Sequence, residues 1–319
     1  MNARWLFAVA MFVAASSAAQ TYPARPLRLI VPFPAGGGSD AVGRIIAQKL
    51  VERLGQQVVV DNRAGAGGSI GTEAAVRATP DGYTMVLAST SEIAINPGLY
   101  SKLSYDTLKD LAPVAMVASA AMVVVVSPSS GIDGIKDLMA LARSKPGTVN
   151  VASAGNGTIT HLSSELFRSM TNVSWTHVPY KGAPPALTDL AGARVQVMFS
   201  SLPAAMPLIK SARIKAIAVS TRARQPSLPE VPTVMESGVP QYDVEYWYGV
   251  FVPSATPKPV VMRLADEIAQ SLRQKDVINN LANQGAVPGD SSQAQFAQFV
   301  QSEYVKWIKV VKSSGAKAD

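Results

Sequence analysis

The sequence predicts an α/β chain folded as two lobes, each a mainly parallel sheet flanked by helices, with two crossing strands between them that act as a hinge. Three observations predict it. The 319 residues are 48% hydrophobic and 16% charged, which excludes disorder and is enough for two core-bearing units at roughly 100 to 200 residues apiece. After residue 26, short β-rich runs alternate with helical patterns, the rhythm of helix-linked strands buried on both faces, which pair in parallel. That rhythm stops near Leu111, restarts at Met122 and is followed by a helical tail, so the chain leaves lobe one, builds lobe two and returns.

The elements follow in order. Met1 to Arg4 is a short positive start, Trp5 to Ala15 is apolar but too short to span a bilayer, and Ser17-Ala18-Ala19 supplies the small residues a signal peptidase reads. Residues 1–19 are therefore expected to be a cleaved signal peptide, leaving a soluble, exported chain. Leu27 to Phe33, Gln57 to Asp61 and Tyr83 to Ser89 read as strands. Helices are expected from about Ser39 and Ser69; in the first, Val42, Ile45, Ile46, Leu50 and Leu54 recur at three and four residues and leave Arg44, Gln48, Glu52 and Arg53 on the other side. Leu111 to Val126 is apolar enough to mimic a membrane span, but it contains Pro113 and Ser119, and its run of four valines suits a buried strand. In the second unit, strands at 149–153, 175–180, 195–200 and 214–220 alternate with helices from about Gly134, Thr158 and Ala183. Pro226, Pro229, Pro232 and Pro240 punctuate the way to an aromatic strand, Val244 to Val252, and two terminal helices. The expected division is 20–118 and 243–319 for lobe one and 119–242 for lobe two, with Trp247 on the returning strand placed to report lobe closure.

Composition closes off several kinds of chemistry. Lys plus Arg 29 against Asp plus Glu 22 gives +7, but the basic residues are scattered, so no nucleic-acid partner is expected. With no cysteine there is no disulfide, thiolate nucleophile, cysteine-based metal site or lipid anchor. His161 and His177, the two histidines, lack flanking carboxylates and form no ligand cluster, so neither a metal nor a cofactor is expected.

Three glycine-rich loops sit between a strand and a helix: Pro32 to Asp40, Gly65 to Gly71 and Ala154 to Thr158. Glycines let backbone N–H groups close on a ligand, and the helix that follows adds its unpaired donors and the positive end of its dipole, so these loops are candidate anion seats. Ser39 or Asp40 could cap the first helix and Thr158 the one carrying His161. No Gly-Lys dipeptide occurs, which excludes a Walker loop. Gly67-Gly68-Ser69-Ile70-Gly71 matches the nucleophile-elbow string of α/β-hydrolases, so the alternative reading is an exported serine hydrolase with Ser69 as nucleophile and His161 or His177 as base. The segment Asn62 to Gly67 between strand and serine argues against it.

Six ordered motifs, Pro32-Phe33-Pro34-Ala35-Gly36-Gly37-Gly38-Ser39-Asp40, Asp61 to Gly68, Gly155-Asn156-Gly157-Thr158 with His161-Leu162, His177 to Gly182, Pro229 to Thr233 and Trp247 to Pro253, run the length of the mature chain. In them the sequence resembles the Bug family, the periplasmic solute receptors of tripartite tricarboxylate transporters. The resemblance implies a Venus-flytrap, type II-like periplasmic binding protein, a monomer that closes on a small carboxylate and delivers it to a membrane permease. It also implies that the carboxylate is held by backbone donors of the first loop and of the Gly155–Thr158 loop, with Ser89 to Ser91 and Tyr180 to Gly182 lining the cleft. The residues expected at the ligand are Phe33, Gly37, Gly38, Ser39, Asp40, Ser89, Ser91, Gly157, Thr158, His161, Tyr180 and Ser200. Ser200 departs from the family pattern, in which many members carry an acidic residue; if this position touches ligand, the departure weakens the case for an amino-bearing substrate.

Overall fold

The computed structural model describes residues 22–314, so the expected signal peptide lies outside the described residues. Lobe one begins with β1 (Leu27–Val31), which pairs in parallel with β2 (Val58–Asn62) on one side and β3 (Thr84–Ser89) on the other. Between them, α1 (Gly38–Leu54) buries Val42, Ile46, Ala47, Leu50 and Leu54 and ends on left-handed Gly55, whose N–H returns to Val51 O. Next, α2 (Ser69–Val76) leads into β3, and a single π turn at Ser91–Ile95 runs on into two short helices, α3 (Asn96–Leu99) and α4 (Thr107–Asp110).

The stretch that mimicked a membrane span is β4 (Leu111–Val126), a 16-residue strand that belongs to both lobes. Its lobe-one part pairs antiparallel with β9 (Glu245–Pro253), from Leu111 opposite Pro253 to Ala121 opposite Glu245, with bulges beside Pro113 that spare the ladder a missing donor. From Met122 onward the partners become β7 (Val197–Ser201) and β8 (Lys215–Val219). Alternation along β4 sends Met122, Val124 and Val126 to one core and Ala121, Val123 and Val125 to another.

Lobe two continues with α5 (Ile135–Ser144), β5 (Asn150–Ser153), α6 (Ile159–Thr171), β6 (Thr176–Pro179), α7 (Ala183–Ala191), β7, α8 (Leu202–Lys210) and β8. Here β5 pairs in parallel with β6 and β7. Helix-linked strands are thus parallel in both lobes, whereas β4 and β9, which carry the chain between lobes in opposite directions, are antiparallel to each other. Ser220 ties the two crossings together. Its hydroxyl accepts from Met122 N–H at 2.9 Å and donates to Val244 O, while its own N–H donates to Met122 O at 2.8 Å.

The tail returns to lobe one as three helices rather than two: α9 (Lys258–Leu272), α10 (Lys275–Asn283) and, after a short β10 (Ala286–Pro288) on the edge of β4, α11 (Gln293–Ser314). Phe296 of α11 packs against Trp247 and Phe251 of β9, over Gly249, where an added Cβ would lie 2.3 Å from the ring.

Candidate functional site

Where β1 ends, the chain turns through Pro32–Gly37 into α1. Gly37 occupies the N-cap position and no side chain caps the helix, so the first-turn N–H groups of Gly38, Ser39 and Asp40 have no partner within it. Neither Ser39 nor Asp40 caps, contrary to expectation. The Asp40 carboxylate instead accepts from Gly36 N–H at 2.9 Å, Arg44 Nε at 3.0 Å and Asn62 Nδ2 at 3.0 Å, bracing the turn from behind. Burial pushes its pKa up, but the bonds from Arg44, Gly36 and Asn62 outweigh this and hold it below the ordinary aspartate value.

Lobe two repeats the arrangement three times. Thr158 stands at the N-cap of α6, but its hydroxyl donates to Gly155 O at 2.7 Å rather than accepting from the helix. Gly182, at φ 110°, precedes α7, and Ser201 precedes α8, again without a side-chain cap. All four helices therefore open without a cap from their own N-cap side chain, but Ser91 takes the Ile159 N–H of α6, and Pro184, Pro185 and Pro203 thin the supply of donors in α7 and α8.

The four N-termini converge on one cavity of about 30 Å³, the volume share of a single water. Phe33, Gly37, Gly38, Ser39, Ser91 and Thr158 line it, as do Ala154, Ile159, Thr160, Pro184, Ser201 and Tyr246, and no charged side chain does. The lobes meet around it. Ile159 N–H donates to Ser91 Oγ at 3.1 Å, and Gly38 is so close to Ser201 that a Cβ would stand 2.6 Å from its hydroxyl. Phe33, Pro34 and Ala154 are shared with an outer chamber of about 620 Å³, lined by the Gly65–Gly68 loop, Asn156 and Tyr180, with Lys181 its single charged wall residue.

Six of the twelve expected residues are thus at the inner cavity and Tyr180 is at the outer one, its hydroxyl donating to Asp189 at 2.8 Å. The other five lie off both walls. Asp40 braces its loop; His161 Nδ1 accepts from Gly157 N–H at 3.1 Å, so these two support the α6 turn. Ser89 sits behind Tyr246, whose hydroxyl donates to it at 2.8 Å. Ser200 is turned away by strand alternation and its neighbour Ser201 takes the wall. Sequence reasoning missed Ser201, one residue past the expected end of its strand, and Tyr246, which lies inside the expected strand Val244 to Val252 but was not singled out.

The hydrolase constellation does not assemble. Ser69 opens α2 after a 3₁₀ turn, Ala66–Gly68, rather than at the tip of a strand, and Asn96 Nδ2 donates to its hydroxyl at 3.0 Å. His161 and His177 stack on each other at 4.0 Å, and His177 Nε2 lies 2.7 Å from Ser153 Oγ. Among the described residues no group of three His, Cys, Asp or Glu could hold a metal, and no helix is long and apolar enough to cross a membrane. A further cavity of about 620 Å³, lined by Met262, Arg273 and Asp290, lies away from all three glycine-rich loops.

The family model for the tripartite tricarboxylate transporter family receptor matches residues 42–316. The chain is 38% identical over 313 residues to protein BugT of Bordetella pertussis, covering 98% of this chain and 96% of that one. Among solved structures it is similar to Rpa4515 of R. palustris with adipate, with a TM-score of 0.90, 36% identity and coverage of 93% of this chain and 99% of that one. It is also similar to MatC of Rhodopseudomonas palustris with bound malate, with a TM-score of 0.86, 31% identity and coverage of 91% and 100%.

Proposed function

Because the chain belongs to the tripartite tricarboxylate transporter receptor family, whose members and structural neighbours are solute-binding receptors and not enzymes, we propose that it captures a small carboxylate in the cleft between its lobes and hands it to a membrane permease. The observation that carries this reading is the convergence of four uncapped helix N-termini on a cavity with no acidic wall residue. A helix N-terminus favours an anion by roughly 0.3 to 1 kcal/mol, more when buried, and a charge-assisted hydrogen bond adds about 1.5 to 3 kcal/mol. Such donors cannot satisfy a cation, and no carboxylate stands on the inner wall to pair with an ammonium group.

Capture proceeds by closure. The open cleft presents α1 from one side and α6, α7 and α8 from the other; a carboxylate touching both sets binds the closed form better, and that difference drives the lobes together. The change of strand partners at Ala121–Met122 and the Ser220 contact to Val244 support a lobe division close to 118/119 and 242/243. The ligand's remainder extends into the outer chamber, toward Lys181. In the cell the receptor works as an exported monomer in the periplasm. The test is a thermal-shift and calorimetric panel of carboxylates that includes adipate and malate, with amines and sugars as controls. Stabilisation by carboxylates alone is expected; a panel in which none binds would overturn the reading.

A further inference from the structure

One buried acid stands directly behind the cavity. Glu92, in the π turn after β3, has no solvent exposure, and a Cβ on Gly68 would lie 2.5 Å from its Cγ, so the strap Ala66–Gly68 seals it in. Its Oε2 is hydrogen-bonded to Ser89 Oγ, and its Oε1 is buried without a partner. An ionised carboxylate with one bare oxygen in such a place is costly, and a neutral acid costs far less. Burial accordingly pushes its pKa up to about 8, with the Ser89 hydroxyl and the backbone N–H groups of Glu92 and Ser89 pulling the other way.

The chain of groups continues forward. Ser89 Oγ is 2.8 Å from Tyr246 Oη, and Tyr246, with Ser39 and Ser91 beside its hydroxyl, lines the cavity. Hydroxyl protons rotate, so the line Glu92–Ser89–Tyr246 can run in either direction. With Glu92 ionised, Ser89 and Tyr246 both turn their protons toward it, and Tyr246 presents lone pairs to the cavity. With Glu92 neutral, its own proton goes to Ser89, Ser89 donates to Tyr246, and Tyr246 is free to donate to an anion.

The geometry points to Glu92 as a positioning residue whose proton sets the polarity of this relay, so that the carboxylate and one proton on Glu92 bind together. This rests on the carboxylate reading above. The groups facing Glu92 do not compete for the role. Tyr105, which donates to the Glu92 carbonyl at 2.9 Å, and Tyr246 and Tyr248 of β9 are held neutral by burial, with pKa values raised above the ordinary tyrosine value. On α11, which packs against the π turn, Glu303 is taken up by the indoles of Trp247 and Trp307 and by Lys306. Ala66–Gly68 brings no titratable group.

The experiment has a ligand-free arm and a binding arm. In protein carrying ¹³C-carboxyl glutamate, the resonance missing from Glu92→Gln should be that of a neutral acid at pH 7 and titrate near 8; a carboxylate already ionised at pH 7 overturns the proposal whatever the ligand. Calorimetry with adipate and malate should show affinity on the order of tenfold weaker at pH 9 than at pH 7, with close to one proton taken up on binding at pH 9 and little at pH 7. Glu92→Gln, whose amide donates to Ser89 as the neutral acid would, should match wild type at pH 7 to within about twofold and lose the pH dependence. Ser89→Ala, which cuts the relay and removes the hydrogen bond that holds the Glu92 pKa down, should move the ligand-free titration upward and lose the pH dependence of binding between pH 7 and 9. Wild-type affinity that is flat from pH 7 to 9, or a Glu92→Gln protein that keeps the slope, refutes the relay while leaving carboxylate binding intact. Absence of any carboxylate binding refutes the function instead, and the resonance still decides the state of Glu92.

Discussion

Gly38→Ala separates closure from folding with one methyl group. The added Cβ would stand 2.6 Å from Ser201 Oγ and 2.9 Å from Tyr248 Oη, against 3.4 Å or more for an ordinary contact. Gly38 belongs to lobe one and Ser201 to lobe two, so the shortfall, about 0.8 Å at the tighter contact, is relieved by the lobes stopping short of full closure. Hydrogen bonds of about 2.9 Å stretched by that much pass the useful limit. Losing two charge-assisted bonds at about 1.5 to 3 kcal/mol each predicts affinity weaker by a factor on the order of 100 or more. The helix itself should not suffer, because alanine is favoured over glycine by up to about 1 kcal/mol. Calorimetry should therefore show the loss, solution scattering a ligand-bound form less compact than wild type, and thermal melting a ligand-free midpoint at or slightly above wild type. Affinity within twofold of wild type would refute the placing of Gly38 at the closed contact. A ligand-free midpoint several degrees lower would show that the clash falls on Tyr248 within lobe one, and the reasoning from closure would fail.

Other outcomes follow from the same contacts. Asp40→Ala should leave the chain folded but weaken carboxylate binding roughly tenfold, since it frees Gly36, Arg44 and Asn62 together; Ser69→Ala should leave binding unchanged in the same titration. Glu92 has a folded pKa raised above its unfolded value, so the unfolded chain sheds that proton first, and stability falls by about 1.4 kcal/mol per pH unit as pH rises from about 4.5 toward 8. Glu92→Gln should flatten that slope in denaturant melts across the range, and an unchanged slope would show that Glu92 is not its source. Ser220→Ala removes the hydroxyl shared by Met122 and Val244, and should cost about 1 to 3 kcal/mol of stability in denaturant melts.

Most of the fold was legible because its signals are local. Apolar spacing announced α1, the valine run announced the end of β4, and glycines before helices announced the loops that line the two cavities. What stayed hidden depended on tertiary context. The α8 helix carries Pro203 and Pro207, which read as breakers, yet Pro203 falls in the first turn, where its missing N–H costs nothing. The three residues of β10 are too few to show a period. Trp247, expected from the sequence to report closure, is buried against Phe296 and Phe299 with its indole donating to Glu303, all within lobe one. Intrinsic fluorescence should therefore change little on binding. At the site, the loops were legible and the walls behind them were not, since choosing Ser201 over Ser200 requires knowing where β7 ends.

That the proposed anion seat is built from peptide groups bears on how this protein can change. An alanine scan would find little to remove from it, because the donors proposed for it are backbone N–H groups, such as those of Gly38 and Ser39, whatever the side chains are. The seat could be inherited intact while the outer chamber is rewritten residue by residue. Paralogues diverging from such an ancestor would keep the same chemical handle and exchange one cargo for another, without passing through a form that binds nothing.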